Sequence, residues 1–326
     1  MHDAQKYAVY MEKVQHINAT LKNKHLQQFI HQIPSRKVHG LHAIDLQNRD
    51  QLRDLYSRLQ FVRNKKRLKI MLRDFVCLKL LGKGAFGRVY KVIHKRLNKV
   101  FAMKVLNKKQ IIESEQIKYS LIEKNILQEN DAGKFLLSLH FAFQTKNYLY
   151  LVIDYCPNGD INILLAQQNR GFFDEKTLKF YICELIVALE DLHARNYIYR
   201  DLKPENILID TQGHVKLADF GLSSEKLTPQ KNYALSFCGS PIYLSPEILQ
   251  QQRTFKESDL YTLGVIIYEL LTGSPPYYTE SINQLYDDIQ NKEVSFDDAQ
   301  ISEEAKDLIT QLMRKKREER LGFNGI

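Results

Sequence analysis

The chain has 326 residues and no tryptophan, and its 47 lysines and arginines against 38 aspartates and glutamates give a net charge of +9. Residues 1–74 carry 15 basic and 6 acidic side chains, so the whole excess lies there and the other 252 residues are balanced at 32 of each. A content of 44% hydrophobic and 26% charged residues excludes wholesale disorder, and no run approaches the ~18 consecutive apolar residues of a membrane-spanning helix.

The polar start (Met1, His2, Asp3, Lys6) lacks the apolar core of a secretory signal, so a cytoplasmic or nuclear location is expected. Residues 4–31 and 44–72 read as helices, because apolar side chains such as Leu52, Leu55, Leu59 and Val62 recur at three- and four-residue spacing. Pro34 and Gly40 punctuate the link between them. The second helix runs into Arg63, Lys65, Lys66, Arg67, Lys69 and Arg73.

From Phe75 the period changes. Leu78, Leu80, a glycine cluster, then Val89, Tyr90 and Val92 predict a hairpin of half-buried strands. Residues 101–106 add a strand, 114–130 an amphipathic helix and 148–154 a nearly continuous apolar strand. Beyond Gly159, apolar-periodic stretches at 175–195, 258–272 and 302–314 predict long helices, interrupted by loop-rich residues at 197–247. Strands first and helices second predict an α+β fold with two lobes. Residues 75–156 would form a small, mainly antiparallel sheet lobe with one key helix, and 157–326 a larger helical lobe. A ligand cleft is expected between them. Cys77, Cys156, Cys183 and Cys238 show no Cys-x-x-Cys pair, so neither a disulfide framework nor a zinc site is expected.

Three blocks carry chemistry. Leu81-Gly82-Lys83-Gly84-Ala85-Phe86-Gly87-Arg88-Val89 sets three glycines in a tight turn between strands, where the backbone can approach phosphates and aim N–H groups at them. A strand follows the glycines, which argues against a dinucleotide site, where a helix follows. Lys104 lies 17 residues after Gly87 on a strand of core residues, and lysine is rarely buried unless paired; Glu123 is the candidate partner, the alternative being two solvated charges. Finally, Tyr199-Arg200-Asp201-Leu202-Lys203-Pro204-Glu205-Asn206 is followed by Asp219-Phe220-Gly221. These residues suit metal-assisted phosphoryl transfer. Asp219 and Asn206 offer hard oxygen ligands for magnesium, Asp201 a proton acceptor and Lys203 a charge to neutralise the moving phosphate.

Together with Ser245-Pro246-Glu247, these blocks match in order the motif set of protein kinases, and residues 75–326 are identified by them as a member of that family. Tyr199-Arg200-Asp201 and the stretch Phe237-Cys238-Gly239-Ser240-Pro241-Ile242-Tyr243-Leu244 resemble the basophilic AGC group, which includes cyclic-nucleotide-dependent and ribosomal-protein-directed kinases. Lys203 resembles serine/threonine and not tyrosine kinases. The resemblance implies ATP and magnesium as cofactors. It places Gly82 to Val89 over ATP, with Leu81, Ala102 and Leu208 around the base. Lys104 would be held on the phosphates by Glu123, Ile153 would gate the adenine pocket, and Asp154, Tyr155 and Cys156 would supply hinge backbone. Asp160 looks like the ribose contact. Leu127, Leu139, Tyr199 and Phe220 match the hydrophobic column of the active state, and Glu247 would pair with Arg320.

By the same resemblance, Asp160, Glu205 and Glu269 would hold arginine upstream of the phosphoacceptor, while Phe237, Pro241 and Leu244 would line an apolar pocket. Ser236 matches the activating phosphorylation position, served by an upstream kinase, with Arg200 to bind the phosphate. Ser224 stands where relatives often have lysine, so that pocket loses a cation unless Lys226 substitutes. Tyr261 stands where the family usually has tryptophan. The chain stops at Ile326, where the family continues into a last helix and a tail, so it reads as C-terminally truncated.

In the basic segment, residues 26–59 resemble the last half of a phosphoinositide-binding PX domain, a fold that needs more chain than is present; the plainer reading is a solvated helical pair. An anionic membrane surface is the partner this segment suggests, whereas residues 62–73 lack the aromatic interleaving of a nucleic-acid module. The expected function is ATP-dependent phosphorylation of protein serine and threonine. The rival readings are a pseudokinase scaffold, against which the presence of Lys104, Asp201, Asn206 and Asp219 counts, and a lipid or small-molecule kinase, against which the stretch 237–247 counts.

Overall fold

The computed structural model describes residues 70–84, 87–114, 116–129, 135–168, 170–228, 230–235, 238–251, 253–297 and 301–323, all within one compact unit, Leu55–Ile326. The helices expected at 4–31 and 44–72, and with them the PX-like stretch, lie outside the described residues except for the end of the second. That end is not α-helical: Ile70 and Met71 stand outside any helix, and Leu72–Asp74 is a single 3-10 turn leading into the first strand.

The small lobe is an antiparallel sheet of β1 (Phe75–Lys83), β2 (Gly87–His94), β3 (Lys99–Asn107), β4 (Leu139–Gln144) and β5 (Tyr148–Ile153), in the order β1-β2-β3-β5-β4. Strand alternation decides what each face does. Phe101, Met103 and Val105 of β3 join Phe75, Val92, Tyr150 and Val152 in an aromatic-rich core, with Phe143 stacked on Phe75 and Tyr150 at 5.7 and 4.8 Å. Ala102, Lys104 and Leu106 therefore point to the opposite face. The helix predicted at 114–130 is found as α2 (Ile117–Glu129), and a short helix that was not predicted, α1 (Lys108–Glu113), precedes it. The chain breaks at Ser114, whose hydroxyl donates back to the Gln110 carbonyl at 2.6 Å and competes with helix continuation.

In the large lobe, α3 (Ile161–Ala166) starts at the Asp160 cap and α4 (Glu175–Ala194) at the Asp174 cap. The hairpin β6 (Ile207–Ile209) and β7 (Val215–Leu217) follows, then β8 (Ala234–Leu235), α5 (Pro246–Gln251) and β9 (Arg253–Thr254), with β8 and β9 paired. The helix α6 (Lys256–Thr272) is buried on nearly every side and ends at Gly273, whose φ of 82° favours glycine. Two outer helices, α7 (Ile282–Asn291) and α8 (Glu303–Leu312), complete the lobe. Gly264 lets α8 approach α6, since a Cβ there would stand 2.7 Å from Met313 Cγ.

Besides the stretch after β5 and side-chain contacts, the lobes meet through backbone where residues 135–137 lie along β7. Leu217 N–H donates to the Phe135 carbonyl at 2.7 Å, and Leu137 N–H to the Leu217 carbonyl at 3.1 Å.

Candidate active site

Lys104 is delivered by β3 to the face opposite the aromatic core. Its Nζ donates to Glu123 Oε1 of α2 at 2.6 Å and to Asp219 Oδ1 at 3.0 Å. Burial works against the ammonium charge, but the two carboxylates outweigh it and push the lysine above its ordinary range. Burial pushes Glu123 up while Lys104 pulls it down. Asp219 is held below its ordinary value, chiefly by Lys104, so it stays ionised. Its backbone is left-handed, with φ 51°.

Asp201 lies at the start of a turn that also carries Lys203 and Asn206. Lys203 Nζ donates to Asp201 Oδ1 and Oδ2 at 2.9 and 2.8 Å, and Asn206 Nδ2 to the Asp201 carbonyl and Oδ2 at 2.8 and 2.9 Å. The Asn206 carbonyl accepts from Ala218 N–H at 2.9 Å, which ties this turn to the strand leading into Asp219. Burial raises the Asp201 carboxyl, with Lys203 and Asn206 acting in the opposite sense. Tyr199 donates its hydroxyl to the Ala218 carbonyl and packs edge-on against Phe220 at 5.7 Å. Leu127, Tyr199 and Phe220 are buried and Leu139 is half-buried.

The cleft side carries Leu81, Gly82, Lys83 and Gly84, all exposed, with exposed Arg88 and half-buried Val89 beyond; Ala85 and Phe86 lie outside the described residues. Val89 pairs with Lys104, and Ala102 with Ile153. Asp154, Tyr155, Cys156, Asp160 and Leu208 are half-buried, and Asp160 bridges to Leu208. Asp160 Oδ1 accepts from Ile163 N–H at 3.2 Å. Burial and the nearby Asp154 and Asp210 push the Cys156 thiol up to about 12, so it is a packing group and not a nucleophile.

Two hinge contacts were invisible in the sequence. Asp154 accepts from Ser138 N–H at 2.9 Å and lies 2.7 Å from His140 Nε2, and Lys91 Nζ sits 4.5 Å over the Tyr155 ring.

These residues fit a magnesium nucleotide. Nothing lies within 4 Å of a Cβ built at Gly82 or Gly84, so that side of the hairpin is open to phosphate. The described residues hold no group of three or more His, Cys, Asp or Glu placed for a metal. Asp219 with the amide oxygen of Asn206 would instead offer the sparse hard-oxygen set suited to a magnesium carried on phosphates.

On the outer side, Glu205 is exposed, and half-buried Glu269 accepts from Tyr243 Oη at 2.9 Å, its carboxyl raised by burial. Pro241 is exposed, whereas Leu244 is buried and packs as wall. Ser236 and Phe237 lie outside the described residues. Arg200 donates to the Leu222 and Ser223 carbonyls at 2.6 and 3.1 Å. The Lys226 Nζ lies 3.5 Å from Glu129 and 5.6 Å over the Tyr197 ring. Buried Ser224 accepts from Ile198 N–H at 2.9 Å.

Sequence reasoning passed over Asp259. Its Oδ2 accepts from Tyr199 N–H at 2.9 Å and faces His193 Nε2 at 2.7 Å, while Oδ1 accepts from Arg200 N–H at 2.9 Å. The available signal was a carboxylate inside an apolar-periodic helix, where an unpaired charge would be costly.

Residues 75–326 match the family model described as the protein kinase domain. A RAC family serine/threonine-protein kinase homolog of Dictyostelium discoideum is 36% identical over 318 residues, covering 96% of this chain and 71% of the relative. Serine/threonine-protein kinase Sgk1 of Danio rerio is 42% identical over 250 residues, 77% of this chain and 57% of the relative. For serine/threonine-protein kinase sgk-1 of Caenorhabditis elegans the figures are 42% over 249 residues, 76% and 53%. The chain thus spans a little over half the length of these two Sgk relatives. A Lys104–Glu123 pair facing Asp219, beside an Asp201–Lys203–Asn206 turn, is the arrangement the kinase motifs lead one to expect, and the chain belongs to the protein kinase family, among serine/threonine kinases of the AGC type.

Proposed function

We propose that the chain transfers the γ-phosphoryl group of ATP to serine or threonine hydroxyls of proteins. The observation that carries this reading is the convergence of Lys104, Glu123 and Asp219 beside Asp201, Lys203 and Asn206. Magnesium ATP, when bound, supplies the electrophilic phosphorus and the metal charge. Lys104 anchors phosphate oxygens, kept cationic by its two carboxylate neighbours. Asp219 and Asn206 offer the metal ligands. Asp201 accepts the proton of the attacking hydroxyl as its oxygen bonds to the γ-phosphorus and the bond to the β,γ-bridging oxygen breaks, releasing ADP. Lys203, already on Asp201, neutralises charge on the transferred group.

The substrate class proposed is basic. Asp160, Glu205 and Glu269 offer carboxylates to arginine upstream of the phosphoacceptor, and an apolar residue after it suits the Phe237, Pro241 and Leu244 wall. Regulation by an upstream kinase at Ser236, read by Arg200, belongs to the same proposal. So does attraction of the basic segment to phosphoinositide-containing membranes; among the described residues no helix is long and apolar enough to cross a membrane.

The test is a peptide array with radiolabelled ATP and magnesium, run beside Lys104→Met. Labelling of serine and threonine peptides with upstream arginine, absent in the variant, is the expected result. Preference for acidic or proline-directed peptides would overturn the substrate class, and labelling undiminished in the variant would overturn the site.

A further inference from the structure

Two consecutive residues beyond the Asp219-Phe220-Gly221 turn reach opposite ends of α2. Lys118, in the first turn of that helix, places its Nζ 2.8 Å from Glu225 Oε1. Glu129, its last residue, lies 3.5 Å from Lys226 Nζ and accepts from Tyr197 Oη at 3.3 Å. The dipeptide making both contacts is anchored by backbone on either side. Ser224 N–H donates to the Ile198 carbonyl at 2.9 Å, and Leu227 N–H to the Asn196 carbonyl at 2.7 Å.

The charges on α2 run against its own preference. A cation in the first turn and an anion in the last oppose the helix dipole, and neither an acidic first turn nor a basic last turn offsets them. Their placement is favourable only toward the oppositely ordered Glu225 and Lys226. Glu123 sits between the two ends, so fixing both fixes the carboxylate that holds Lys104. Sliding or rotating α2 would separate both pairs.

We infer that Glu225 and Lys226 are positioning residues, a charge bracket that keeps α2 in the arrangement where Glu123 meets Lys104, without any phosphate on the loop. This rests on the phosphotransferase reading for its effect on rate, although the bracket itself is a statement about α2. All four charged side chains are substantially exposed, between 41% and 57%. Exposed pairs contribute little singly and are screened by salt, so the expected effects are modest and fade with ionic strength.

The experiment is charge exchange in the full chain. Glu225→Lys alone and Lys118→Glu alone should each lower kcat/KM for ATP about three- to tenfold at low salt. The double exchange should return it to within about twofold. The same pattern is expected for Lys226→Glu, Glu129→Lys and their combination. Raising salt to about 0.5 M should bring the single variants and the wild type together, because screening removes the attraction and the new repulsion alike. Hydrogen–deuterium exchange over residues 117–129 supplies a readout independent of catalysis: faster in the singles, restored in the exchanges. An active wild type whose single variants match it in kcat/KM and in exchange would overturn the bracket, as would doubles no better than singles. An inactive wild type showing the exchange pattern would support the bracket and count against the phosphotransferase reading instead.

Discussion

Asp259 accepts the backbone N–H of Arg200 at 2.9 Å, at a residue whose φ is 71°. A left-handed arginine is strained, and a buried carboxylate that also takes Tyr199 N–H offsets that strain. The backbone beside Asp201 is therefore posted from α6, not from its own loop. Asp259→Ala should lower stability by about 3 kcal/mol, because it orphans the buried Tyr199 amide, the part-buried Arg200 amide and His193. It should also lower kcat with little change in ATP KM. Urea melts beside steady-state kinetics check both.

Asp201→Asn should reduce kcat by about 10²- to 10⁴-fold with unchanged melting. The neighbour sets the pH range. Burial raises Asp201 and Lys203 restrains that rise, so the base is active only above a pKa higher than an ordinary aspartate's. Removing the restraint in Lys203→Ala should move the acid limb of the kcat profile to higher pH, besides lowering its plateau. A limb that stays in place or moves down would contradict the assignment.

The glycines of the hairpin divide into two kinds. At Gly84 an added Cβ meets nothing, whereas at Gly87 it would lie 2.3 Å from the Val105 carbonyl oxygen. Gly84→Ala should leave the melting temperature in place and raise ATP KM severalfold. Gly87→Ala should lower the melting temperature, since β2 must move off β3. Thermal melts without nucleotide separate the two.

Arg320 grips Glu247 with two hydrogen bonds of 2.8 and 2.9 Å in the core of the large lobe, the pairing expected from the kinase resemblance. Burial would raise Glu247, but Arg320 outweighs it and holds the carboxyl below its usual value. The resulting stability is complete above the unfolded pKa of about 4.3 and is lost as pH falls through the lower folded value. Glu247→Gln leaves the arginine uncompensated and should lose about 3–5 kcal/mol near neutrality. The gap from wild type should narrow below about pH 4. Urea denaturation across that range measures it.

Tyr261, which stands where the family usually has tryptophan, buries a hydroxyl that finds no hydrogen-bond partner among the described residues, while the Arg320 guanidinium lies 5.2 Å over its ring. Tyr261→Phe removes a desolvated polar group and keeps the ring, so stability should hold or rise by about 1 kcal/mol. A clear loss in calorimetry would show that the hydroxyl is bonded.

Much of this was legible in the chain itself. The strands β1, β2, β3 and β5 and the helices α4, α6 and α8 announce themselves by period, whereas the edge strand β4 (Leu139–Gln144) does not. The reacting groups stand in short blocks whose internal spacing nearly dictates their geometry. Asp201, Lys203 and Asn206 meet because one turn carries all three. What was not legible depends on distant partners. Nothing local distinguishes Asp259 from other helix carboxylates until α6 is placed under Tyr199. The short helix α1, capped by Asn107, is too brief to show a period. Glu225 and Lys226 look like solvated charges until α2 lies across them.

The strip where residues 135–137 run along β7 has a mechanical consequence. The covalent link after Ile153 would by itself let the lobes swing and twist freely, as a door does on a single pin. The Phe135–Leu217 and Leu137–Leu217 hydrogen bonds add a second pin, tied to the first where Ser138 and Asp154 exchange hydrogen bonds. Two attachments resist sideways sliding of one lobe over the other better than one does. Lys104 and Asp201, carried on opposite leaves, would then keep closer registration as the lobes swing.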